Sequence, residues 1–165
     1  LDPWKVKTKT EVIMQTLRVL CRVVTYDPAT RSILLVRNRD QNWWCAPGGG
    51  WDHTQETILE CAKREALEET GVQVNIAKLL YVQTLYIKKQ DSIWLEQFWI
   101  AELVGNNEVP QGHIDQYGVV DEARWFSKEE AQTITVYPEV LKNAFWDIID
   151  NVLREKDRYL GHFVL

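Results

Sequence analysis

Several features that mark special classes of protein are scarce in this sequence. Cysteine occurs three times in 165 residues, without a CxxC pair, as Cys21, Cys45 and Cys61. This spacing favours free thiols in a reducing compartment over a disulfide framework or a zinc site. No apolar run reaches the roughly 18 residues that a membrane span needs, and the first four residues lack the basic and apolar regions of a signal peptide. We therefore expect a cytoplasmic protein that makes no membrane contact.

An excess of basic charge is also missing. The chain has 19 Lys and Arg against 24 Asp and Glu, which gives a formal net charge of −5. This balance argues against a nucleic-acid partner, because phosphate backbones are bound by Lys and Arg. An anionic small molecule would need metal ions or a local basic patch to hold it. With 45% hydrophobic residues and no repeat or linker, we expect a single domain over residues 1–165.

Hydrophobic patterning predicts strands mixed with two long helices, one central and one terminal. Strands are expected at residues 17–26, 33–36, 72–85, 94–103 and 119–126. The central helix is expected over residues 55–70, with Asp52 or Thr54 as its N-cap and Gly71 as its C-terminal glycine. This mixture is typical of an α/β or α+β sandwich.

Turn-forming residues divide the rest of the chain. The stretch 45–54, CAPGGGWDHT, is predicted to be irregular because three glycines follow one another. Residues 105–118 form a long loop, a kind of segment that is often functional. A capping box at residues 127–130 predicts a short helix. An apolar stripe from Pro138 to Val152 predicts a core-facing terminal helix.

Three carboxylates lie together near the end of the predicted central helix. Glu65, Glu68 and Glu69 project over an arc of roughly 100° within one turn. Their mutual repulsion and the helix dipole both disfavour this arrangement unless cations are present. Oxygen-rich clusters suit Mg²⁺ or Mn²⁺, and Arg64 can hold a neighbouring carboxylate in place. Taken alone, a solvated acidic helix face explains the cluster equally well.

The surroundings of this cluster favour the metal. From Gly50 to Val72 the chain matches G-x5-E-x7-R-E-U-x-E-E-x-G-U, with U an apolar residue, at every fixed position. This segment resembles the Nudix box, and the chain therefore resembles the MutT-like Nudix hydrolases. The preceding Pro47-Gly48-Gly49 is also similar to the family. One departure is Gln55, because many members have glycine before the box glutamate.

The resemblance implies a fold and a reaction. The fold is a Nudix-type α/β/α sandwich with a mixed β-sheet. The implied reaction is Mg²⁺-dependent, or Mn²⁺-dependent, hydrolysis of a pyrophosphate bond in a nucleoside diphosphate linked to another moiety. The physical chemistry agrees, since metal ions relieve the repulsion between phosphates and an incoming nucleophile and orient the attack.

The resemblance also implies roles for individual residues. It assigns the metal to the box carboxylates Glu65, Glu68 and Glu69, with Glu65 alternatively acting as the base. The backbone carbonyl of Gly49 or Gly48 is a further candidate ligand, since glycine allows close backbone approach. Arg64 is expected to orient the carboxylates. Glu56 lies on the opposite side of the helix and is expected to be structural, acting through Arg64.

A later loop often supplies family members with another ligand or the general base. Candidates here are Asp115, Asp121 and Glu122, of which Glu122 is the preferred metal ligand. His113 is expected to be an ordinary loop residue. The alternative for each acid is a solvated or structural role.

Residues for substrate binding are suggested by strand spacing and by aromatic content. Arg37 and Arg39 alternate along one strand and can share a face toward phosphate, or simply be solvated. Trp44 or its neighbour Trp43 can stack on a base beside the glycines, where the Gly48 backbone can also contact substrate. Trp94 and Trp99 should point to opposite faces of a strand, so that one of them can line the pocket.

The substrate subclass stays open at this level. Members of the ADP-ribose type usually carry a proline about fifteen residues past the box, and none occurs here between Gly71 and Pro110. We therefore favour a nucleoside triphosphate, oxidised or unmodified, over ADP-ribose, a nucleotide sugar or a dinucleoside polyphosphate. A capped RNA end is a further alternative, which the acidic balance disfavours unless a local basic patch overrides it. A non-catalytic nucleotide-binding regulator is the alternative from another class. A monomer or a homodimer is expected.

Overall fold

A mixed β-sheet of eight strands organises the structure, a computed structural model that describes residues 16–110, 113, 115 and 117–152. The strands are β1 (Thr16–Asp27), β2 (Ser32–Asn38), β3 (Trp44–Cys45), β4 (Gly48–Gly50), β5 (Val74–Ile87), β6 (Ser92–Leu103), β7 (Val120–Ser127) and β8 (Val136–Tyr137). The helices in these ranges are α1 (Ile58–Thr70), α2 (Lys128–Thr133) and α3 (Ala144–Val152). The predicted absence of a signal peptide concerns residues outside the described ones.

The order of strands in the sheet is β5-β6-β1-β2-β3-β8, with β4 paired to β1 and β7 paired to β2. β1 runs parallel to β6 and β3 runs parallel to β8, while the other pairs are antiparallel. All five predicted strands are present, with ends within two residues of the predicted ones. The predicted mixed sheet is therefore confirmed.

Apolar side chains pack on both faces of the sheet because successive strand residues alternate between them. On one face, α1 packs against a cluster that includes Cys21, Val23, Leu34 and Trp99. On the other, α3 packs against a cluster that includes Val24, Ile33, Ile100 and Phe126. Helices on both faces confirm the α/β/α sandwich. The three cysteines are buried free thiols, as predicted.

The triple glycine forms a strand, and the prediction of an irregular segment there is wrong. In β4, Gly48 pairs with Arg22, Gly49 with Cys21 and Gly50 with Leu20. A Cβ on Gly48 would overlap the carbonyl oxygen of Cys21, and the residue has φ +152°. Glycine is therefore what allows β4 to approach β1 so closely, although three glycines in sequence usually signal a loop.

Helix α1 begins three residues later than predicted, with Thr57 as its N-cap. The Thr57 hydroxyl accepts from the backbone N–H of Glu60, and the Glu60 carboxylate accepts from the backbone N–H of Thr57. This reciprocal capping box satisfies two donors at the helix end. Asp52 instead accepts from the backbone N–H of Thr54 within the preceding loop. The C-terminal glycine, Gly71, is confirmed with φ +72°.

We expect Thr57→Ala to lower the free energy of unfolding by about 1 kcal/mol, because the backbone N–H of Glu60 loses its acceptor. Thr54→Ala is the matched control and should cost less, since Thr54 caps no helix in this structure. Urea unfolding of both variants measures the difference. Equal costs would contradict the assignment of Thr57 as the N-cap.

The predicted terminal helix is divided in two. Glu139–Lys142 forms a 3-10 turn that ends at Asn143, and α3 follows from Ala144. Leu141, Phe145 and Ile149 are buried as the stripe predicted, whereas Ala144 is exposed. The side chain of Val152 lies outside the described part of the chain. Among the described residues, no helix combines the length and the apolar content needed to cross a membrane.

Candidate active site

Arg64 is the centre of a carboxylate network on α1. Its guanidinium donates to Glu56 at 2.6 and 3.0 Å, to Glu65 at 2.7 Å and to Glu68 at 3.0 Å. The hydrogen bonds from Arg64 lower the pKa of Glu56, and the bond to Glu56 raises the pKa of Arg64. Arg64 therefore fixes Glu65 and Glu68 from one side. The predicted link between Glu56 and Arg64 is present, but Glu56 precedes α1 and does not lie within the helix as predicted, and its structural role stays a prediction.

Glu65 and Glu69 extend from α1 to the glycines of β4. The Glu69 carboxylate accepts from the backbone N–H of Gly48 at 2.9 Å. A Cβ on Gly49 would lie 2.6 Å from Oε1 of Glu65, so a larger residue would displace this carboxylate. Desolvation by burial raises the pKa of Glu65 and raises that of Glu69 to about 8. Both acids therefore lie where their negative charge is poorly compensated.

This donor set fits a hard divalent cation. Half-buried carboxylates with raised pKa values would be stabilised as anions by a metal, and oxygen ligands suit Mg²⁺. Within the described ranges, however, no three acidic, His or Cys side chains converge as a group around one point. The reason is that Arg64 holds Glu65 and Glu68 while Glu69 turns to the Gly48 N–H. The ligand set Glu65, Glu68, Glu69 and Gly49 stays a prediction.

A cavity of about 190 Å³ lies beside Glu69, between α1 and the long loop. Glu122 and Asp121 line it, and both accept from Arg37, at 2.9 and 3.3 Å. Asp115 also lines it and accepts from the backbone N–H groups of residues 117, 119 and 120. Asp115 therefore holds the backbone that leads into β7, while Glu122 stays a predicted ligand on the same cavity as Glu69.

The two arginines predicted for phosphate binding differ in their surroundings. Arg37 is ion-paired with Asp121 and Glu122 at the rim of this cavity. Arg39 lies beyond the end of β2, exposed, with its backbone N–H bonded to the carbonyl of Val119. The pairing register with β7 shifts after Arg37. The expected alternation of the two arginines on one strand is therefore wrong.

Trp44 is a core residue, which contradicts its predicted stacking on a base. Its side chain is 7% exposed, and its ring packs edge-to-face on Phe126 at 4.6 Å between centroids. The neighbouring Trp43 points the other way, as successive strand residues do. Trp43 packs edge-to-face on Tyr137 at 5.4 Å and lines a cavity of about 460 Å³.

This larger cavity, which we call the aromatic pocket, combines aromatic walls with a buried ion pair. Its principal lining residues are Trp43, Trp94, Tyr137, Arg22, Gln83 and Glu96. Arg22 donates to Glu96 at 2.9 Å and to the carbonyl of Gly48 at 3.0 Å. The backbone N–H of Gly48 also donates to Glu69. Gly48 is therefore the one residue that lies between Arg22, in the wall of the pocket, and the carboxylate of Glu69.

Sequence analysis missed the polar residues of the aromatic pocket. Arg22, Gln83 and Glu96 come from β1, β5 and β6, and only the sheet brings them together. The available signal was that charged residues interrupt two strongly apolar strands. The prediction that Trp94 and Trp99 point to opposite faces is confirmed, because Trp94 lines the aromatic pocket while Trp99, 1% exposed, packs in the core beneath α1.

Comparison with known protein families tests the predicted family membership. The family model of the NUDIX domain matches residues 16–145, which is most of the chain. The chain belongs to the Nudix family. Its Nudix box therefore supplies Arg64 and the acids on α1, and the predicted family membership is confirmed.

Two relatives of this Nudix chain come from Caenorhabditis elegans and Bacillus subtilis. The NAD-capped RNA hydrolase ndx-9 of Caenorhabditis elegans is 28% identical over 126 residues, covering 71% of this chain and 31% of that protein. The uncharacterized Nudix hydrolase YvcI of Bacillus subtilis is 32% identical over 95 residues, covering 54% of this chain and 60% of that protein. The chain thus spans less than two thirds of the length of these relatives.

Solved structures share the fold of this Nudix chain. A NUDIX hydrolase from Nitrosomonas europaea superposes with a TM-score of 0.68 at 19% identity, covering 90% of this chain and 98% of that one. A UDP-X diphosphatase superposes with a TM-score of 0.65 at 16% identity, covering 86% and 66%. The predicted fold is confirmed, and the predicted enzyme class, a hydrolase, is the class to which these relatives are assigned by name.

Proposed function

We propose that this Nudix chain hydrolyses a pyrophosphate bond in a nucleoside diphosphate linked to another moiety, with Mg²⁺ as cofactor and a nucleoside triphosphate, oxidised or unmodified, as substrate. The observation that carries the proposal is the position of Glu65 and Glu69. Both acids lie against the glycines of β4, with raised pKa values and with the aromatic pocket one residue away.

The residues that would hold Mg²⁺ are Glu65, Glu68 and Glu69, with the Gly49 carbonyl and Glu122 as further candidates. When bound, the metal would offset the charge of the phosphates and favour in-line attack by water. Arg64 would keep Glu65 and Glu68 oriented through its short hydrogen bonds. Glu69, whose carboxylate accepts from the Gly48 N–H, would have to turn toward them to complete the ligand set.

The two cavities suggest how a nucleotide would lie. The aromatic pocket offers Trp43 and Tyr137 to the flat face of a base. The smaller cavity beside Glu69 adjoins the carboxylates, where phosphates would lie with the metal. Arg22 connects the two regions through the backbone of Gly48. The base would thus be bound on one side of the glycine strand and the scissile bond on the other.

A dinucleotide such as NAD, free or at an RNA end, is the second candidate substrate. It is favoured by the name of the relative from Caenorhabditis elegans, an NAD-capped RNA hydrolase. ADP-ribose, nucleotide sugars and dinucleoside polyphosphates stay alternatives, as does a non-catalytic nucleotide-binding regulator. The intact box, with Glu65 and Glu69 both against the glycines of β4, favours an enzyme over the regulator.

We expect cleavage of at least one member of a panel that contains dGTP, 8-oxo-dGTP, ADP-ribose, UDP-glucose, Ap4A and NAD. Phosphate and nucleotide products are measured with Mg²⁺ and with excess EDTA. A triphosphate substrate should yield the monophosphate and pyrophosphate, and EDTA should abolish the reaction. Cleavage that persisted in EDTA would contradict the metal, and binding without any cleavage would favour the regulator.

The remaining predictions concern partners and location. A small-molecule nucleotide partner follows from the proposed activity. The absence of a nucleic-acid partner depends on which candidate substrate proves correct, because an NAD-capped RNA would be both substrate and partner. The monomeric or homodimeric state and the cytoplasmic location stay predictions.

A further inference from the structure

The side-chain amide of Gln83 has a fixed orientation in the aromatic pocket. Its Nε2 donates to Oε2 of Glu96 at 2.6 Å. Glu96 is 3% exposed and accepts from Arg22 through its other oxygen at 2.9 Å, so it is a carboxylate and can only accept hydrogen bonds. The amide must therefore present its N–H to Glu96, and its oxygen Oε1 is turned away from that carboxylate.

The strand register places this amide among the aromatic side chains. Gln83 of β5 lies opposite Glu96 of β6, and Leu85 lies opposite Trp94. Residues two apart on a strand share a face, so these four side chains are on the pocket side of the sheet. Gln83 lines the same cavity as Trp43. A flat ring bound against these aromatic walls would therefore share the cavity with the amide.

We propose that Oε1 of Gln83 selects nucleobases with an exocyclic amino group, as in adenine and cytosine, over bases with a carbonyl at the same position. The inference rests on the proposed function, since it assigns the base to the aromatic pocket. An amino group donates to Oε1, whereas a carbonyl oxygen would face another acceptor. Glu96 and Arg22 prevent the amide from flipping to offer its N–H instead.

The size of the preference follows from hydrogen-bond energetics. A base that matches the amide gains one hydrogen bond in a partly desolvated pocket, while its carbonyl counterpart leaves two acceptors face to face. We expect about a tenfold difference in affinity, which is what one such interaction commonly contributes. The preference should appear in matched pairs of bases that differ at this position, independently of their size.

The test measures binding of AMP, IMP, CMP and UMP by isothermal titration calorimetry. AMP and CMP should bind about tenfold more tightly than IMP and UMP, respectively. Gln83→Met removes both polar atoms at nearly constant length and should reduce both ratios to about one. Gln90→Met makes the same change in the exposed turn that joins β5 to β6 and should keep the ratios of the native protein.

The outcomes separate this inference from the proposed function. Ratios near one in the native protein, or no binding of any monophosphate, overturn the inference whatever Gln83→Met does. Ratios that persist in a folded Gln83→Met variant, checked by circular dichroism, also overturn it. Native preference for AMP and CMP without cleavage of the panel supports the inference and contradicts only the proposed hydrolysis. Cleavage of the panel without a base preference supports the proposed hydrolysis and overturns the inference.

Discussion

Glu69→Gln is expected to reduce hydrolysis at least about a hundredfold while leaving the metal-free protein as stable as the native one at pH 7, or more so. Burial raises the pKa of Glu69 to about 8, so without metal this side chain is mostly protonated at pH 7. Glutamine is also neutral, and its Oε1 can accept the Gly48 N–H as Glu69 does. The fold therefore tolerates the change, whereas a metal loses an anionic ligand.

The experiment compares pyrophosphate release and thermal unfolding in the native protein, Glu69→Gln and Glu102→Gln. Glu102 is exposed on β6, so its amide variant should retain both activity and stability. Glu69→Gln with native turnover would show that the metal assignment of this residue is wrong. Loss of turnover together with a large drop in unfolding temperature would contradict the claim that its charge serves function and not folding.

The pH dependence of stability gives this variant a second measurement. The folded-state pKa of Glu69, about 8, lies above its ordinary value of 4.5. Between these two values the unfolded chain releases the proton more readily, so the native fold loses stability as pH rises through this window. Glu69→Gln has no such group. In EDTA, the amount by which the unfolding temperature of Glu69→Gln exceeds that of the native protein should grow from pH 5 to pH 8 and change little above pH 8.

The box carboxylates could be predicted from sequence because their geometry is local. Helical spacing places Glu65, Glu68 and Glu69 within about one and a half turns of Arg64, whatever the rest of the chain does. The link between Arg64 and Glu56 follows from the same helix and the loop before it. A motif that lies within one short segment carries its own geometry, so helical spacing together with the match to the Nudix box was sufficient to find it.

The aromatic pocket could not be predicted because its residues meet only through the sheet. Arg22 is far in sequence from Gln83 and Glu96, which face each other across one hairpin, and the contacts of the three depend on the register with which β1 and β5 both pair with β6. Trp43 and Trp44 are adjacent and chemically equal, so only the direction of β3 decides which one faces the pocket and which one the core. Strand direction and register are tertiary information.

Gly48→Ala is expected to destabilise the protein by about 3 kcal/mol, which is the largest effect that we expect from a single methyl group in this chain. The added Cβ would overlap the Cys21 carbonyl and approach Arg22 Cα to 2.8 Å, both of them backbone atoms of the central strand β1. The φ of +152° is also unfavourable for alanine. Neither strain can be relieved unless β4 separates from β1.

Gly50→Ala is the matched control at the other end of β4, where an added Cβ meets only the flexible end of Arg18 at 3.4 Å. It should change the free energy of unfolding by less than about 0.5 kcal/mol. Equal stability of the two alanine variants in urea would show that β4 does not pack on β1 as described. The comparison also bears on function, because Gly48 connects Glu69 to Arg22. Separation of β4 would therefore weaken base binding and hydrolysis together, whereas Glu69→Gln should affect hydrolysis alone.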